Sequence, residues 1–582
     1  MTPAFTDSLP TRRTPGGPQL DLPLQAASLT NGRYTAHWSS VGTGHSRFRD
    51  AAVTRCSGDT SNTDGVHIYV RDLDQNLIWS GGYQPTRIAA SQYEFSYDSG
   101  VAEIFRVDHG IECRLAVCVS PQYDFEIRRC QLKNLGPTRR RLEVTSYLEW
   151  VLGGQEADAS HPTFSKLFVE TEFCTERNAI LARRRARSCD ETTLQGFHSI
   201  VFDPLKTFRN AVSFESNRTR FIGRGRTLEH PIAMEAGRRL TGDLGPVLDP
   251  VAALRIPIEM EPGEIREIAF VIGVASTSTE IDHLVESVAN LNQVRDEFDR
   301  ARMIAPATPQ LTGLIRSPNG SSTGERIAFH PPHRARRQSN GEATPETRFT
   351  PDTSTSVDGH KRDVLPSVPL QFDNGYGGFS SDGREYVVRV QPDGHSGQRR
   401  PPLPWVNVIA NENAGFLVTE SGAGYAWSGN SRLNRLTAWH TAPVIDPHSE
   451  ALWIRDENTG VFWSPLPGPT PALSDYKVRH GFGYTTFEHE SHGLSQQTTV
   501  FMARSEPVKL TRCRITNRSG QTRHLSLFSC LIWALGGLAS ETLGQVTTRH
   551  NAKERVIWAT NPNRLHYGDR TAFSSIQFDA PV

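Results

Sequence analysis

One sequence pattern occurs twice in this chain, and this duplication constrains the fold more than any other feature. The stretch Ile68–Asp72 returns as Leu452–Asp456, 384 residues further along. The stretch Arg129–Asn134 returns as Arg512–Asn517 at a shift of 383. A register that is kept to within one residue over such a distance indicates a duplicated domain and not an array of short repeats.

Alternation of polar and apolar residues fills both copies. Glu112–Val119 in the first copy and Lys509–Ile515 in the second alternate with a period of two, as a sheet with one buried face requires. Runs rich in Asp, Asn and Gly, such as Asp456–Gly460, separate these segments and are typical of turns. Many short strands with little helix between them predict a mainly all-β fold built from antiparallel sandwiches.

One segment has the spacing of a helix. Thr279 is predicted to be its N-cap, and apolar residues from Ile281 to Leu291 follow on one face. We expect this helix to run to about Arg302 and to close the first domain.

Composition divides the chain into four segments. Residues 1–27 are polar and proline-rich, and we expect them to be flexible. Residues 28–302 form the first sandwich, and residues 370–582 form a second one that ends earlier in the repeat and is predicted to be C-terminally truncated. Residues 303–369 are rich in Pro, Ser, Thr, Gly and Arg without periodic apolar residues, which predicts a disordered linker.

Charge and hydropathy exclude several classes of protein. Lys plus Arg and Asp plus Glu both number 63, and this balance argues against a nucleic-acid-binding protein. No apolar run approaches the roughly 18 residues of a membrane span, and the N-terminus has no signal-peptide core, so the expected compartment is the cytoplasm. The eight cysteines do not suggest a disulfide framework. Cys113, Cys118 and Cys130 are predicted to be buried thiols.

The chain resembles a known family in several long motifs that agree in order. In the second copy these are Phe372–Phe379, Pro404–Asn411, Glu420–Trp427 and Arg479–Thr485, and in the first copy the clearest is Leu29–Tyr34. The series is similar to the N-terminal domain of glycoside hydrolase family 94, formerly glycosyltransferase family 36, which includes cellobiose phosphorylase. The first copy resembles the first of two such modules in the C-terminal half of cyclic β-1,2-glucan synthases.

The resemblance implies that each copy is a β-supersandwich of the galactose-mutarotase-like type, the first one ending in a short helix. In the family this domain packs against an (α/α)6 barrel that holds the catalytic acid and the phosphate site. We expect that barrel to be absent from this chain, so no catalytic residue is carried over to it. Full synthases are anchored in the inner membrane by segments that we expect to have no counterpart in this sequence.

Flat aromatic faces beside hydrogen-bonding groups are what a sugar site requires, and both copies contain candidates. The proposed carbohydrate-binding residues are Tyr83, Gln84, Trp405, Asn407, Tyr425, Arg432, Arg435 and Trp439. The alternative is that such side chains fill the sandwich cores, and this alternative is favoured for Trp79 and Trp463, which recur in both copies. The two histidines His489 and His492 lack a third metal ligand nearby, and neither a metal nor a cofactor is predicted.

Three functional hypotheses remain open. The first is a carbohydrate-associated tandem sandwich that binds β-glucan or another oligosaccharide, or is purely structural, without catalysis of its own. The second is one piece of a split β-glucan glycosyltransferase or phosphorylase that a separate (α/α)6 barrel polypeptide completes. The third is a homodimerisation module, since sandwich domains of this family commonly lie at subunit interfaces.

Overall fold

A computed structural model gives the fold. It describes residues 25–55, 65–186, 193–203, 212–304, 327–329, 350–351, 369–393, 397–439, 442–542, 544–563 and 566–579. The chain forms two compact units: the first comprises Met1–Gly223 and Thr227–Asn340, and the second comprises Arg224–Arg226 and Gly341–Val582. Most of the predicted linker, and residues 1–24 of the predicted N-terminal segment, lie outside the described residues.

Strands dominate the first unit, as the alternating pattern predicts. They are β1 (Ala26–Thr30), β2 (Tyr34–Ser39), β3 (Gly44–Phe48), β4 (Ala51–Thr54), β5 (His67–Asp72), β6 (Leu77–Ser80), β7 (Gln92–Asp98), β8 (Val101–Asp108), β9 (Ile111–Val119), β10 (Phe125–Asn134), β11 (Arg140–Gly154), β12 (Val169–Cys174), β13 (Ala179–Arg184), β14 (Gln195–Phe202), β15 (Ser213–Asn217), β16 (Pro250–Met260), β17 (Ile265–Ala275) and β18 (Ile327–Phe329). The helices are α1 (Gln155–Ser160), α2 (Pro162–Lys166), α3 (Arg218–Ile222), α4 (Ser278–Glu286) and α5 (Leu291–Ile304), with a 3₁₀ turn at Ile232–Met234.

Two sheets of the first unit enclose one apolar core. In one sheet the order is β1-β2-β3-β4-β11-β16-β15, with β5 and β6 attached through β11. In the other the order is β12-β13-β14-β17-β10-β9-β8-β7-β18. Trp38, Trp79 and Trp150 fill the space between them and are almost completely buried. This confirms the predicted sandwich and the packing role of Trp79.

The helical segment after β17 differs from its prediction in two respects. Thr277, and not Thr279, is the N-cap, because its hydroxyl accepts from the Glu280 amide and completes a capping box. The predicted single helix is also divided in two, since the side chain of Asn290 accepts from the amides of Asn292 and Gln293 and starts a second helix there. Helices α4 and α5 cover the outer face of the β9–β10 sheet with residues such as Phe298.

The second unit is also built from short strands. They are β19 (Thr350–Pro351), β20 (Gly377–Phe379), β21 (Glu385–Pro392), β22 (Gln398–Arg399), β23 (Val406–Ala410), β24 (Ala414–Thr419), β25 (Gly424–Ser428), β26 (Arg435–Thr437), β27 (Glu450–Asp456), β28 (Val461–Trp463), β29 (Tyr476–Gly481), β30 (Tyr484–Ser491), β31 (Leu494–Met502), β32 (Lys509–Asn517), β33 (Leu525–Leu531), β34 (Trp533–Gly536), β35 (Thr547–Asn551), β36 (Val556–Thr560) and β37 (Thr571–Ser575). Its described residues also include the helix α6 (Ala539–Thr542).

The second unit repeats the strand order of the first. Strands β23, β24 and β25 form a meander that matches β1, β2 and β3 residue for residue at a shift of 380. The pairing of β27 with β33 reproduces that of β5 with β11, and β29 to β32 follow the order of β7 to β10. Trp463 is fully buried like Trp79. The duplication predicted from the motifs is therefore a duplication of structure.

Equivalent tight turns join the second and third strands of both meanders. Gly42 and Gly422 have φ of 85° and 91°, in the left-handed region that favours glycine. A Cβ at Gly422 would also lie 2.5 Å from Leu466 Cδ2. Glycine at these positions therefore serves a tight turn. Among the helices within the described residues, none has the length and apolar character to traverse a bilayer.

Candidate functional site

The outer face of one sheet in the second unit carries exposed apolar and aromatic side chains. The sheet has the order β23-β24-β25-β26-β34. On β25, Ala426 faces the core, so Tyr425 and Trp427 point to the opposite side of the sheet. The register places Leu417 beside Tyr425 and Val408 beside Leu417, and Val408 is 59% exposed. This outer face is therefore a continuous, partly exposed apolar surface.

Three aromatic rings, those of Tyr425, Trp427 and Trp439, form what we call the aromatic cluster. The Tyr425 ring lies 5.4 Å from that of Trp427 and 5.0 Å from that of Trp439, centroid to centroid. The Arg435 guanidinium carbon lies 5.4 Å from the Tyr425 centroid, a cation–π distance. Trp427 covers Gly415, where a Cβ would lie 2.4 Å from Trp427 Cζ2. Backbone packing therefore fixes the position of this indole.

Partial burial shapes the electrostatics of the cluster. Burial raises the pKa of Tyr425, so its phenol keeps its proton at neutral pH. Burial, together with the positive charge of Arg432, lowers the pKa of Arg435, while the Glu541 carboxylate acts in the opposite direction. Flat rings beside guanidinium donors suit a ligand with an apolar face and a rim of hydroxyl groups.

Two other predicted residues of the second unit serve the fold. The Trp405 ring packs edge-on against Tyr386 at 5.3 Å and contacts the core. The amide nitrogen of Asn407 donates to the carbonyls of Gly481 and Tyr484 at 2.9 and 3.0 Å. Asn407 also lies on the face of β23 opposite to Val408. Neither residue belongs to the aromatic cluster.

The predicted pair Tyr83 and Gln84 lies in the first unit, after β6. Gln84 is only 7% exposed, and its backbone amide donates to the Val41 carbonyl at 2.8 Å. Its side-chain oxygen accepts from Arg87 Nε at 3.4 Å. Tyr83 packs against the core, and burial raises the pKa of its phenol. The structure gives Gln84 an internal role and leaves Tyr83 half-buried.

In the first unit the face equivalent to the aromatic cluster is polar. His45 and Arg47 occupy the positions of Tyr425 and Trp427 on β3. The hydroxyl of Ser28 lies 2.9 Å from His37 Nδ1 across the first two strands. Burial lowers the pKa of His45 to about 4, with the nearby His37 and Arg47 acting in the same direction. The two copies therefore share a backbone and differ in the chemistry of this face.

Sequence reasoning named Tyr425, Arg435 and Trp439 but did not predict that the outer positions of β23 and β24 extend the same surface. Val406, Val408 and Leu417 complete it. Aligning the meanders at their own shift of 380, instead of 384, would have shown that Val408 and Leu417 replace the polar Ser28 and His37 of the first copy, while Val406 corresponds to Ala26.

A cluster of charged side chains lies inside the first unit. The Glu149 carboxylate accepts from Arg218 Nε at 2.7 Å and from the Tyr147 hydroxyl at 2.9 Å, and it lies 3.0 Å from Arg55 Nε. Lys166, Asp158 and Asp249 complete a set of three carboxylates and three cations. Because these groups are buried and neutralise one another, the cluster suits a structural role.

Three histidines, His198, His489 and His492, have partners within their own units. His198 Nε2 lies 2.7 Å from the Ser146 hydroxyl, and its Nδ1 lies 3.2 Å from the Val271 carbonyl, with all three groups in the core. His489 stacks on Tyr476 at 3.7 Å, and His492 stacks on Trp463 at 4.1 Å. Within the described ranges, no group of three or more His, Cys, Asp or Glu side chains is arranged to hold a metal ion.

Comparisons with known proteins place these observations in a family. The family model of the glycosyl hydrolase 94 supersandwich domain matches residues 15–291 and 384–581. The cyclic beta-(1,2)-glucan synthase NdvB of Rhizobium meliloti is 26% identical over 94% of this chain and 24% of its own length. The N,N'-diacetylchitobiose phosphorylase of Vibrio proteolyticus is 27% identical over 30% of this chain and 22% of its own length. The solabiose phosphorylase of Paenibacillus borealis is 28% identical over 32% of this chain and 24% of its own length.

The chain thus spans about a quarter of the length of these relatives. The matched stretches cover most of both units, and the strands that they contain form the sandwiches described above. The chain therefore belongs to the glycosyl hydrolase 94 supersandwich domain family.

Proposed function

We propose that the second unit binds β-glucan oligosaccharides through the aromatic cluster, and that the chain acts in binding and not in catalysis by itself. The observation that carries this proposal is the grouping of Tyr425, Trp427 and Trp439 with Arg435 at a partly exposed sheet face. Pyranose rings have apolar C–H faces that stack on aromatic rings, and their hydroxyl groups accept hydrogen bonds from guanidinium. The similarity to a cyclic β-1,2-glucan synthase makes β-1,2-glucan the first ligand to test.

The affinity expected of such a surface is modest. The outer face is a sheet surface and not a deep cavity, so a bound sugar stays partly hydrated. Each ring–sugar contact is expected to contribute about 0.5–1.5 kcal/mol, by analogy with aromatic pairs. Two or three such contacts give at most about 4.5 kcal/mol before the cost of association, so a dissociation constant on the order of 1 mM, which corresponds to about 4 kcal/mol, also requires burial of apolar area and hydrogen bonds to the guanidinium groups.

The test is a titration of the full chain with linear β-1,2-glucan oligosaccharides, followed by tryptophan fluorescence and calorimetry. Trp427→Ala is expected to weaken binding about ten-fold, the equivalent of about 1.4 kcal/mol. Trp558→Ala is the matched control, since Trp558 is a half-buried tryptophan of the same unit outside the cluster, and it should retain the wild-type affinity. An absence of heat and spectral change at millimolar ligand, or equal losses in both variants, would refute the proposal.

A second variant tests the geometry without removing a ring. Gly415→Ala places a Cβ against the indole of Trp427 and the Ala410 side chain, at 2.4 and 2.7 Å. Because both contacts are closer than real Cβ atoms tolerate, Trp427 must move, and we expect sugar affinity to fall at least five-fold, or about 1 kcal/mol. The near-UV circular dichroism of the tryptophans should change in parallel. Unchanged affinity with a changed spectrum would mean that the position of Trp427 does not matter for binding.

The second candidate function is that this chain is one piece of a β-glucan-processing enzyme. A separate polypeptide with the (α/α)6 barrel would complete that enzyme. It is favoured by the similarity to phosphorylases and to a synthase that are about four times longer than the matched part. Under this hypothesis the purified chain turns over no glucoside alone, and adding a barrel polypeptide encoded beside it produces phosphorolysis. Turnover by the chain alone would contradict both candidates.

A further inference from the structure

The outer face of the first meander, formed by β1, β2 and β3, carries a group of hydrogen-bonding side chains that the proposed function does not use. The register places Ser28 opposite His37 and His37 opposite His45, so these three lie in one row across three strands. Arg47 follows two residues after His45 on the same face of β3. Neighbours on one face of an antiparallel sheet have Cβ atoms about 4.5–5.5 Å apart. The four side chains, which we call the polar patch, therefore lie side by side.

Contacts within the polar patch leave most of its hydrogen-bond donors available. The His37 and His45 rings lie 4.8 Å apart, centroid to centroid, at an angle of 31°. His37 Nδ1 is 2.9 Å from the Ser28 hydroxyl, and Arg47 Nη1 donates to Gln155 Oε1 at 3.3 Å. No other hydrogen bond joins Arg47 or the His45 ring to a side chain that the structure describes. Because a guanidinium has five N–H donors and each imidazole has at least one, several donors of the patch can bind a ligand.

The polar patch is positive and has no carboxylate of its own. Within the described ranges, Arg47 forms no ion pair. The carboxylate that acts on His37 is that of Glu126, which lies on the core side of the sheet and accepts from Arg128 Nε at 2.9 Å. Burial lowers the pKa of His37 and His45, and the charge of Arg47 acts in the same direction on both, as does that of Arg128 on His45. An anion bound at the outer face would offset this positive potential.

Comparison of the two meanders separates two kinds of ligand. Tyr425 and Trp427 occupy in the second meander the positions of His45 and Arg47 in the first. Flat apolar rings suit the C–H face of a sugar, whereas guanidinium and imidazole N–H groups suit the oxygens of an anion. A metal ion is disfavoured at the polar patch, because the Arg47 charge repels it and the described residues supply no third ligand beside the two imidazoles.

We propose that the polar patch is a binding site for a small tetrahedral oxyanion, either free phosphate or sulfate or the same group carried by a sugar. Arg47 supplies the permanent positive charge and a pair of N–H donors, and His37 and His45 donate further N–H groups to the anion. The Ser28 hydroxyl orients the His37 ring through their hydrogen bond. The site belongs to the first unit, so it does not depend on sugar binding by the aromatic cluster.

The test is a calorimetric titration of the full chain with inorganic phosphate, with glucose 6-phosphate and with glucose, at an ionic strength kept constant with chloride. Arg47→Gln is expected to weaken phosphate binding about ten-fold, since it removes the permanent charge. The matched control is Arg49→Gln, at an exposed arginine two residues away, which should keep the wild-type affinity. Tighter binding of glucose 6-phosphate than of phosphate would identify a sugar ester as the ligand, and equal binding would identify the free anion.

A second variant and a pH series test the role of the histidines. His45→Tyr introduces the side chain that the second copy carries at this position, and near-UV circular dichroism checks that the unit stays folded. Sulfate keeps its charge between about pH 5.5 and pH 7.5, so any pH dependence of its binding reports protons taken up by the protein. A bound anion favours the charged imidazolium, so sulfate affinity should rise roughly three-fold on acidification over this range in the wild type and less in His45→Tyr.

Three outcomes would overturn the proposal. The first is an absence of saturable phosphate or sulfate binding at constant ionic strength, or equal binding of glucose and glucose 6-phosphate. The second is an equal loss of affinity in Arg47→Gln and Arg49→Gln, which would show that the anion responds only to overall charge. The third is saturable binding of Zn²⁺ that His45→Tyr abolishes, without binding of phosphate, which would make the histidine pair a metal site. Titration of the same samples with β-1,2-glucan oligosaccharides reports on the aromatic cluster separately.

Discussion

Replacing Glu149 by alanine is expected to destabilise the first unit by about 3–5 kcal/mol, because it leaves buried cations without their counter-charge. Burial alone would raise the pKa of Glu149, yet Arg218, Lys166 and Arg55 together hold the pKa below its usual value. The carboxylate is therefore ionised at neutral pH. Without it, Arg55, Lys166 and Arg218 would share only two carboxylates in a dry environment.

The buried thiols of the first unit provide a measurement that is specific for its unfolding. Cys113, Cys118 and Cys130 are buried, as the sequence predicts, and become reactive only when the unit opens. In Glu149→Ala their labelling should reach completion at a much lower urea concentration than in the wild type. The matched control is Glu170→Ala, which removes a half-buried partner of the exposed side chains of Arg183 and Arg185 and should cost less than about 1 kcal/mol. Similar midpoints for the two variants would show that the buried network contributes little.

Acidification from pH 7 to pH 5 is expected to lower the free energy of unfolding of the first unit by about 2 kcal/mol through His198 alone. Burial lowers the pKa of His198 to about 3 in the folded state, against an ordinary value of 6.5. The contribution of His198 to the free energy of unfolding is complete above pH 6.5, where its side chain is neutral in both the folded and the unfolded state. Below pH 6.5 the unfolded chain binds a proton that the folded state excludes, so stability falls until the pH approaches 3.

Hydrogen exchange in urea at pH 7 and pH 5, corrected for intrinsic exchange rates, would measure how the free energy of unfolding changes with pH. The paired strands β14 and β17 report this slope for the region around His198. His198→Gln removes the titrating group, and we expect it to reduce the pH dependence even if it changes the stability at pH 7. His230→Gln, at a side chain that is 77% exposed, should leave the slope unchanged. A slope that is the same in all three proteins would assign the acid sensitivity to other groups, such as His45, whose pKa burial also lowers.

Much of the fold could be predicted from the sequence because it depends on local periodicity and on repetition. A period of two identified Ile111–Val119 and Lys509–Asn517 as strands to within two residues at each end. The recurrence of Trp79 and Trp463 identified both as core residues. The helix cap was misplaced by two residues, because Thr277 and Thr279 are equal candidates until the backbone brings Glu280 within reach of one of them.

The candidate site could be predicted only in part. Residue type singled out Tyr425, Arg435 and Trp439, but it gave the same weight to Trp405 and Asn407, which the structure places in packing and internal hydrogen bonds. Which face of a strand an aromatic residue occupies depends on register, and register is set by pairing with strands that lie elsewhere in the sequence.

The sequence by itself determined that this chain is a tandem of two β-sandwich units of one family, because alternation and repetition are written in residue order. Only the tertiary structure decided which side chains share the outer face of each meander, and that among the described residues β32 is the outermost strand of its sheet whereas β10 lies between β9 and β17. Both properties arise from which strands lie side by side, and strand neighbours are fixed by long-range hydrogen bonding and burial.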